Sequence, residues 1–483
     1  MRDWSAERVV IIGAARQGTA LAGYLLKQGA QVVITDQRPF DELVEAHEAL
    51  LSYAHDPRLE WVCEGHPLDL LEAATLVCPS GGVPLTLPLV VEAVKRGIPL
   101  SNDSQIFLEE APCKVIGITG SAGKTTTTAL VGRMAQCAVQ SDGLKTPSRQ
   151  AWVGGNIGAP LIREIEKMHP DDYAVMELSS FQLDIMTRSP QVAAVLNITP
   201  NHLDRHGTMQ AYRSAKTRIL EFQTEKDYAV LGRDDPGAWS LADRVRGRLS
   251  SFGLTSLTKG QLGAELRHDS VYLRFHKEPS HPHSRAEGGE GITEAPVIAR
   301  DEILLRGEHN LLNVMAACCI AAAAGLSIQA MQAGVKGFRG IPHRLEFVRR
   351  WKDADWYNDS IATSPERAMA AIRSFDEPLV LLAGGRDKQL PWKDFASLVK
   401  QRVDHLILFG EAADKILDEL QLSRTELLTL SHASGLRAAV ARAAEIVEPG
   451  DVVLLSPGGT SFDEFKDFEE RGECFARWVN ELT

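Results

Sequence analysis

Residues 115–126 read Val115-Ile116-Gly117-Ile118-Thr119-Gly120-Ser121-Ala122-Gly123-Lys124-Thr125-Thr126. An apolar stretch runs into a glycine turn, and a lysine followed by threonines opens a helical pattern. Glycines let successive backbone N–H groups curl around phosphate oxygens. A helix N-terminus adds partial positive charge. A lysine and a hydroxyl at this spacing supply a cation for the β/γ-phosphates and a ligand for a divalent metal. The expected nucleotide-binding set is therefore Gly120, Ser121, Ala122, Gly123, Lys124, Thr125 and Thr126. Gly120 and Gly123 flank two residues, where the commoner phosphate loop has four. That spacing weighs against a GTPase or a kinase, and no Asn-Lys-x-Asp segment for reading guanine is present. The bland alternative, a tight turn with an incidental lysine, is the weaker reading because strand and helix flank the turn on the correct sides.

Two later stations could serve the same chemistry. Glu177 closes the apolar run Tyr173 to Glu177, and an acid at the carboxyl end of a parallel strand points into the crevice where nucleotides bind. It can hold Mg²⁺ near Thr125. His202 lies in Asn201-His202-Leu203-Asp204-Arg205-His206, after the next apolar run, and Lys216 lies in the helical pattern beyond. Taken alone, a single histidine is usually structural and a lysine on an amphipathic helix usually snorkels to the surface.

The elements that must position these residues alternate between two periods. Arg8 to Ile12 reads as a strand, Gln17 to Gln28 as a helix and Gln31 to Thr35 as a strand, a βαβ unit that implies a parallel sheet. Lys114 to Thr119, Tyr173 to Glu177 and Val192 to Ile198 read as further strands, and the pattern shifts to shorter strands between Asp227 and Phe275. His276 to Pro296, rich in Gly, Pro, His and Glu, reads as a surface loop. Its histidines His276, His281 and His283 lack the carboxylate or cysteine spacing of a metal tract. An alanine-rich helix runs from His309 to Ala324. After the turn at Gly340-Ile341-Pro342 the alternation resumes, with strands at Leu379 to Ala383, His405 to Phe409 and Asp451 to Ser456. The fold class expected is α/β with three regions, 1–109, 110–340 and 341–483.

Composition narrows the class of function. At 483 residues, 44% hydrophobic and 24% charged, the chain is long enough for several cores and is ordinary globular material. A net charge of −12 disfavours a general nucleic-acid binder. No apolar run is long enough to span a bilayer, and the N-terminus lacks a signal-peptide pattern, so a cytoplasmic protein without membrane insertion is expected. Seven cysteines without metal-ligand spacing read as reduced and mostly buried. The first glycine turn, Gly13-Ala14-Ala15-Arg16-Gln17-Gly18, has Ala15 where a dinucleotide fingerprint needs glycine. NAD is therefore not expected, despite Asp36 at the end of the next strand.

These motifs together resemble the Mur ligases, and among them the branch that adds D-glutamate. The likeness runs from about Val9 to Phe475. It is carried by the phosphate loop, by Gly154-Gly155-Asn156-Ile157-Gly158, Glu177-Leu178-Ser179-Ser180-Phe181-Gln182-Leu183 and Asn201-His202-Leu203-Asp204-Arg205-His206. Further on, Gly307-Glu308-His309-Asn310 with Asn313, Pro342-His343-Arg344-Leu345-Glu346 and Asn358-Asp359-Ser360-Ile361-Ala362-Thr363 continue it. Gly384-Gly385 with Lys388, and Ser456-Pro457 through Ser461-Phe462-Asp463 to Phe465-Lys466, complete it.

The resemblance implies a Rossmann-like N-terminal domain, a central P-loop ATPase domain with a small β part and a Rossmann-like C-terminal domain. It implies an ATP-dependent ligase, acting as a monomer, that joins D-glutamate to UDP-N-acetylmuramoyl-L-alanine through an acyl phosphate. Domain closure is expected to bring the amino acid to the reacting centre. Lys124, His202 and Lys216 are the expected catalytic residues. Asn310 and Asn313 would meet adenine, Asp359 the ribose and Arg344 the phosphates. Thr125 and Glu177 would hold one Mg²⁺; His202 and an N-carbamoylated Lys216 would serve a second. Arg16, Gln17, Asp36, Gln37, Arg38 and Gly81 would receive the UDP part, with Asn156 and His202 beside the muramoyl substrate. Thr363, Lys388, Ser461, Phe462 and Phe468 would form the glutamate site. Two positions depart from the family pattern: Ala122 stands where many members have Asn, and Ile361 where some have Lys. The residues around Ser461 and Lys388 weigh against relatives that add meso-diaminopimelate, L-lysine or a folate glutamate. A relative that adds L-glutamate is the alternative, since its motifs would look similar.

Overall fold

The computed structural model describes residues 2–142, 149–156, 158–201, 203–276, 291–388, 390–420 and 429–483. Its strands form three sheets. The first has four parallel strands, β1 (Arg8–Ile12), β2 (Gln31–Thr35), β3 (Leu59–Val62) and β4 (Leu76–Pro79), in the order β3-β2-β1-β4. The Val and Ile run of β1 is buried because a parallel strand with helices on both faces has no wet side. The chain winds from β1 out to β3 and then crosses back to β4. That reversal leaves a crevice at the carboxyl ends of β1 and β4, the position at which open α/β sheets bind ligands.

The second sheet is built around β5 (Lys114–Thr119), with β7 (Tyr173–Glu177) and β6 (Ala151–Gly155) on one side and β8 (Val192–Val195) and β9 (Tyr228–Gly232) on the other. All of these pair in parallel, and β10 (Arg248–Phe252) and β11 (Leu262–Arg267) extend the parallel run. β12 (Ser270–His276) and β13 (Ile292–Ala299) close the edge as antiparallel strands. β5, flanked by β7 and β8, is again a switch point, and the glycine turn leaves its carboxyl end. Behind the turn, helix Lys124–Asp142 packs on helices Glu308–Ala324 and Ile328–Val335. From Leu311 to Ala324 the middle helix is buried almost all round, so small side chains rather than an amphipathic stripe suit it.

The third sheet has the order β14-β15-β19-β16-β17-β18, from β14 (Glu346–Trp351), β15 (Ala354–Asn358), β16 (Leu379–Gly384), β17 (His405–Phe409), β18 (Thr429–His432) and β19 (Val452–Gly458). Only the β14/β15 pair is antiparallel. By packing, the chain divides into two units. One runs to Leu304 and includes Glu308–Phe338; the other is Leu305–Gly307 with Arg339–Thr483.

Several boundaries differ from the sequence reading. The first helix is Arg16–Lys27, one residue earlier than expected. The strand expected over Val192 to Ile198 ends at Val195, because Asn197 turns its side chain to the phosphate loop. The surface loop expected over 276–296 is narrower. His276 ends β12 and β13 begins at Ile292, so an antiparallel pair occupies both flanks of that stretch. His281 and His283 lie outside the described residues. Every described cysteine is free, and Cys78, Cys113, Cys318 and Cys319 are buried.

Candidate active site

The phosphate loop leaves β5 and wraps back on itself. Lys124 Nζ donates to the carbonyls of Gly120 (2.9 Å) and Ser121 (3.3 Å), so its ammonium sits across the mouth of the turn. Gly123 has φ +80, and a Cβ there would stand 2.3 Å from Asn313 Oδ1. Both facts require glycine. Asn313 is nearly buried, donates to Asn310 Oδ1 at 3.0 Å and accepts from Thr127 Oγ1 at 3.4 Å. The two expected adenine contacts therefore stand directly behind the loop.

Not every loop N–H is free to meet a phosphate. The Ala122 N–H donates to Asn197 Oδ1 at 2.8 Å, and Asn197 Nδ2 donates back to the Ala122 carbonyl at 3.2 Å. The Ser121 N–H donates to the Asn197 carbonyl at 3.0 Å. Ser121 Oγ is held by Thr199 and by the Tyr212 hydroxyl, 2.9 Å away. The apex of the loop is thus braced by Asn197, Thr199 and Tyr212, none of which the sequence reading assigned a role. Asn197 falls inside the strand expected over Val192 to Ile198, and nothing local marks it as a clamp on a residue 75 positions earlier.

Lys216 is 1% exposed and is not a snorkelling surface lysine. Its Nζ donates to the Gly120 carbonyl at 2.9 Å and to Thr119 Oγ1 at 3.3 Å, and lies 4.8 Å from the Tyr212 ring centroid. Burial and then the neighbouring Lys124 ammonium push the Lys216 amine well below the ordinary lysine value, with Glu177 pulling the other way. Glu177 is 2% exposed; its Oε1 accepts from Asn156 Nδ2 at 2.9 Å, and its buried Oε2 has no hydrogen-bond partner. A buried carboxylate oxygen without a partner is costly unless a cation or a ligand group completes it. His202 lies outside the described residues. Among the described residues no cluster of three or more His, Cys, Asp or Glu side chains has metal-binding geometry.

A cleft of about 1040 Å³ opens beside this centre. Arg16, Gln17, Arg38, Gly81 and Asn156 all line it, together with Ser179 and Phe181. Helix Arg16–Lys27 points its N-terminus into it with no side-chain cap and no acid in its first turn. The uncapped N–H groups and three arginines, Arg16, Arg38 and Arg163, set against Glu42 and Glu45, suit an anionic group. Asn156 both lines this cleft and bonds Glu177, which ends the strand paired with β5, so the cleft borders the strand ends from which the phosphate loop leaves. Asp36 and Gln37 do not line it. Asp36 instead accepts from the Ala14 N–H (2.8 Å), the Arg38 N–H (3.0 Å) and the Arg38 guanidinium (3.0 Å). Burial raises the Asp36 carboxyl, but these donors outweigh it and hold it well below the usual carboxylate range. Asp36 thus shapes the turn and fixes Arg38. Phe181 stacks on the His206 ring (5.1 Å) and carries the Arg205 guanidinium over its own ring (4.7 Å), and Arg205 donates to the Gly82 carbonyl at 3.2 Å.

In the second unit the remaining expected residues leave the carboxyl ends of three adjacent strands, β15, β19 and β16. Asp359 and Thr363 follow β15, Ser461 and Phe462 follow β19, and Lys388 follows β16. Phe468 opens the last helix, Phe468–Glu481. Lys388 and Phe462 are exposed, whereas Ser461 and Asp359 are buried. Asp359 accepts from Ser456 Oγ at 2.8 Å and from the Leu345 N–H at 3.2 Å. Burial pushes its carboxyl up to about 7 against those bonds. Arg344 is exposed on a turn whose neighbours His343 and Leu345 are left-handed, at φ 63 and φ 44. Such strain in non-glycine residues persists only where the surroundings enforce it; here Glu346 accepts from the His343 N–H at 2.8 Å. Arg471, fully buried, was missed by the sequence reading. It donates to Ser360 Oγ, the Ser360 carbonyl and the Gly459 carbonyl at 2.8–3.2 Å and so ties the β15 and β19 loops together.

Three family models match in succession: the Mur ligase MurD-like N-terminal domain over residues 7–102, the Mur ligase middle domain over 118–321, and the Mur ligase glutamate ligase domain over 343–459. The chain is 38% identical to the UDP-N-acetylmuramoylalanine–D-glutamate ligase of Pelotomaculum thermopropionicum, across 100% of this chain and 99% of that protein. It is also 38% identical to the ligase of the same name from Symbiobacterium thermophilum, across 99% and 98%. Among solved structures, the MurF ligase of Thermotoga maritima in complex with ADP matches with a TM-score of 0.52 over the full length of both chains; at 17% identity this is a likeness of fold. With whole-length relatives at this identity and all three domain models in order, the chain belongs to the Mur ligase family.

Proposed function

We propose that the chain is an ATP-dependent amide ligase that joins D-glutamate to UDP-N-acetylmuramoyl-L-alanine in peptidoglycan precursor synthesis. The observation that carries this reading is the full-length 38% identity to ligases of that name. The phosphate loop adjoining a large anion-suited cleft supports it. Residues 1–109 would bind the UDP-substrate, 110–340 ATP and 341–483 the amino acid. The reaction would run in the cytoplasm on a monomer; no helix among the described residues is long and apolar enough to cross a membrane.

The terminal carboxylate of the L-alanyl substrate attacks the γ-phosphorus of ATP, and ADP leaves. The glutamate amine then attacks the acyl carbon, the tetrahedral adduct expels phosphate, and the amine loses a proton. Lys124, anchored across the mouth of the loop, holds positive charge against the β/γ-phosphates where negative charge accumulates. The N–H groups of Gly123, Lys124 and Thr125 continue that cradle at the helix N-terminus. Asn310 and Asn313 would meet adenine, and Asp359 and Arg344 the ribose and phosphates. In the long cleft, Arg16 and Arg38 would meet the diphosphate, with Gln17, Gly81 and Asn156 along the substrate. Asp36 would act through Arg38, and Gln37 would serve the uridine end from outside the cleft lining. Thr363, Lys388, Ser461, Phe462 and Phe468 would hold the glutamate.

The donor set fits a hard divalent cation, because Glu177 Oε2 is a buried carboxylate oxygen without a partner. Thr125 and Glu177 would hold one Mg²⁺, and His202 with Lys216 a second. Bound there, Mg²⁺ would screen the phosphate oxygens from the attacking carboxylate. An ammonium beside Lys124 is a poor neighbour for a metal. A carbamate, formed when the neutral Lys216 amine adds to CO₂ and loses a proton, would be an anionic oxygen donor.

Phosphate release measured with ATP, UDP-N-acetylmuramoyl-L-alanine and a panel of D- and L-amino acids tests the reading. Release that requires D-glutamate supports it; equal release without any amino acid, or a preference for an L-amino acid, overturns it.

A further inference from the structure

Lys388, the lysine assigned above to a carboxylate of the incoming amino acid, follows an acid in the chain. Asp387 Oδ2 accepts from Lys415 Nζ at 2.6 Å, and Asp387 Oδ1 accepts from Trp392 Nε1 at 3.0 Å. Lys415 comes from a different element, helix Ala413–Leu420, and also donates to the Leu390 carbonyl at 3.4 Å. Trp392 is 1% exposed, and its ring lies under Gly458. A Cβ on Gly458, which has φ +73, would stand 2.8 Å from the indole. Gly458 opens the loop that carries Ser461. The same two loops are paired through the backbone, Arg386 N–H to the Thr460 carbonyl at 2.8 Å and Thr460 N–H to the Arg386 carbonyl at 2.9 Å. Asp387 therefore holds Trp392 under Gly458 and ties the Lys388 loop to helix Ala413–Leu420, and in doing so it puts a carboxylate next to Lys388, in a loop assigned to a dicarboxylic amino acid.

We propose that Lys415 is a positioning and specificity-determining residue of the amino-acid site: it neutralises Asp387 beside Lys388, so that the Lys388 loop attracts an acidic amino acid instead of repelling it. This rests on the reading of the second unit as the glutamate site. A like charge near a bound anion opposes binding, and a paired cation cancels that opposition. Lys415 has no need to touch the substrate to do this.

The test is steady-state phosphate release by the full chain, read as KM for D-glutamate, for ATP and for UDP-N-acetylmuramoyl-L-alanine. Lys415→Met, or Lys415→Gln as a second neutral variant, should raise the KM for D-glutamate about 10-fold, a penalty of about 1.4 kcal/mol. The other two KM values should move less than about twofold, a difference within ordinary surface effects. Lys415→Arg keeps the charge and should restore the parent value. Lys415→Met combined with Asp387→Asn removes both charges and should recover most of the loss, a recovery that a merely structural tie would not produce. An unchanged KM for D-glutamate in both neutral variants overturns the proposal, and so does a double variant no better than Lys415→Met alone. If the parent releases phosphate without needing D-glutamate, the functional reading itself fails, and that is seen before any variant is compared.

Discussion

Asn197→Ala should weaken ATP without unfolding the chain. The side chain makes two hydrogen bonds to one residue of the phosphate loop, Oδ1 from the Ala122 N–H and Nδ2 to the Ala122 carbonyl. Each such bond contributes a net ~0.5–1.5 kcal/mol, so the pair contributes ~1–3 kcal/mol to holding the loop ready. In the variant that ordering must be done when ATP arrives, and the cost appears in affinity as a weakening of about 5- to 150-fold. Asn197 is only partly buried and no core contact is lost, so the thermal midpoint should fall by only a few degrees. Calorimetric titration with a non-hydrolysable ATP analogue reads the effect, with the UDP-substrate titrated as a control that should not move. Asn197→Asp sharpens the test: it keeps the acceptor for the Ala122 N–H, loses the donor and adds a negative charge near the phosphates, so it should bind ATP at least as poorly as Asn197→Ala. ATP affinity within about twofold of the parent in a folded Asn197→Ala protein would refute the clamp, because that is less than 0.5 kcal/mol.

Three further outcomes are expected. Asp36→Ala should weaken the UDP-substrate about 10- to 100-fold, roughly the worth of one charge-assisted bond, and leave ATP affinity unchanged; equal loss of both would count against the assignment of the cleft. Lys216→Ala should be nearly inactive and partly rescued by a small carboxylate such as acetate, while Lys216→Arg should not recover, since a guanidinium repels Mg²⁺; full activity in Lys216→Arg would rule out the carbamate. Asp359 has its carboxyl pushed up to about 7, so the folded chain holds a proton that the unfolded chain releases near 3.8, and stability falls as pH rises through that window. Asp359→Asn removes the penalty, so its gain in thermal midpoint over the parent should grow from pH 5 to pH 7 and then level off, and a gain independent of pH would refute that account.

What could be read from the chain follows the reach of each interaction. β1, β2, β5, β7 and β17 were legible residue for residue because a parallel strand buried on both faces is a short unbroken apolar run. The phosphate loop was legible as a pattern because its strand, glycines and helix start are contiguous. The end of β8 was not, since Leu196 and Ile198 continue the apolar run while Asn197 leaves the ladder to serve a loop 75 residues away. The edge strand β13 was hidden by polar composition: Thr293 and Glu294 lie on opposite faces of its first half, which is buried on neither face and so carries little apolar signal.

The same rule separates the residues that meet ligands from those that hold them in place. Motif residues such as Lys124, Asn156 and Lys388 stand out because their type is unusual where the local pattern puts it. Arg471 and Lys415 sit on amphipathic helices, where a cation is expected to face water. Only the tertiary structure turns the first into a fully buried bracket across Ser360 and Gly459 and the second into the counter-charge of Asp387. Lys216 shows the limit most clearly. Its helix spacing fits a surface lysine, yet its amine is buried between Gly120, Thr119 and the Tyr212 ring, beside a second lysine. A lysine at such a place is costly as an ammonium. That cost gives it a reason to exchange its charge, and the carboxylate-rescue experiment measures whether it does.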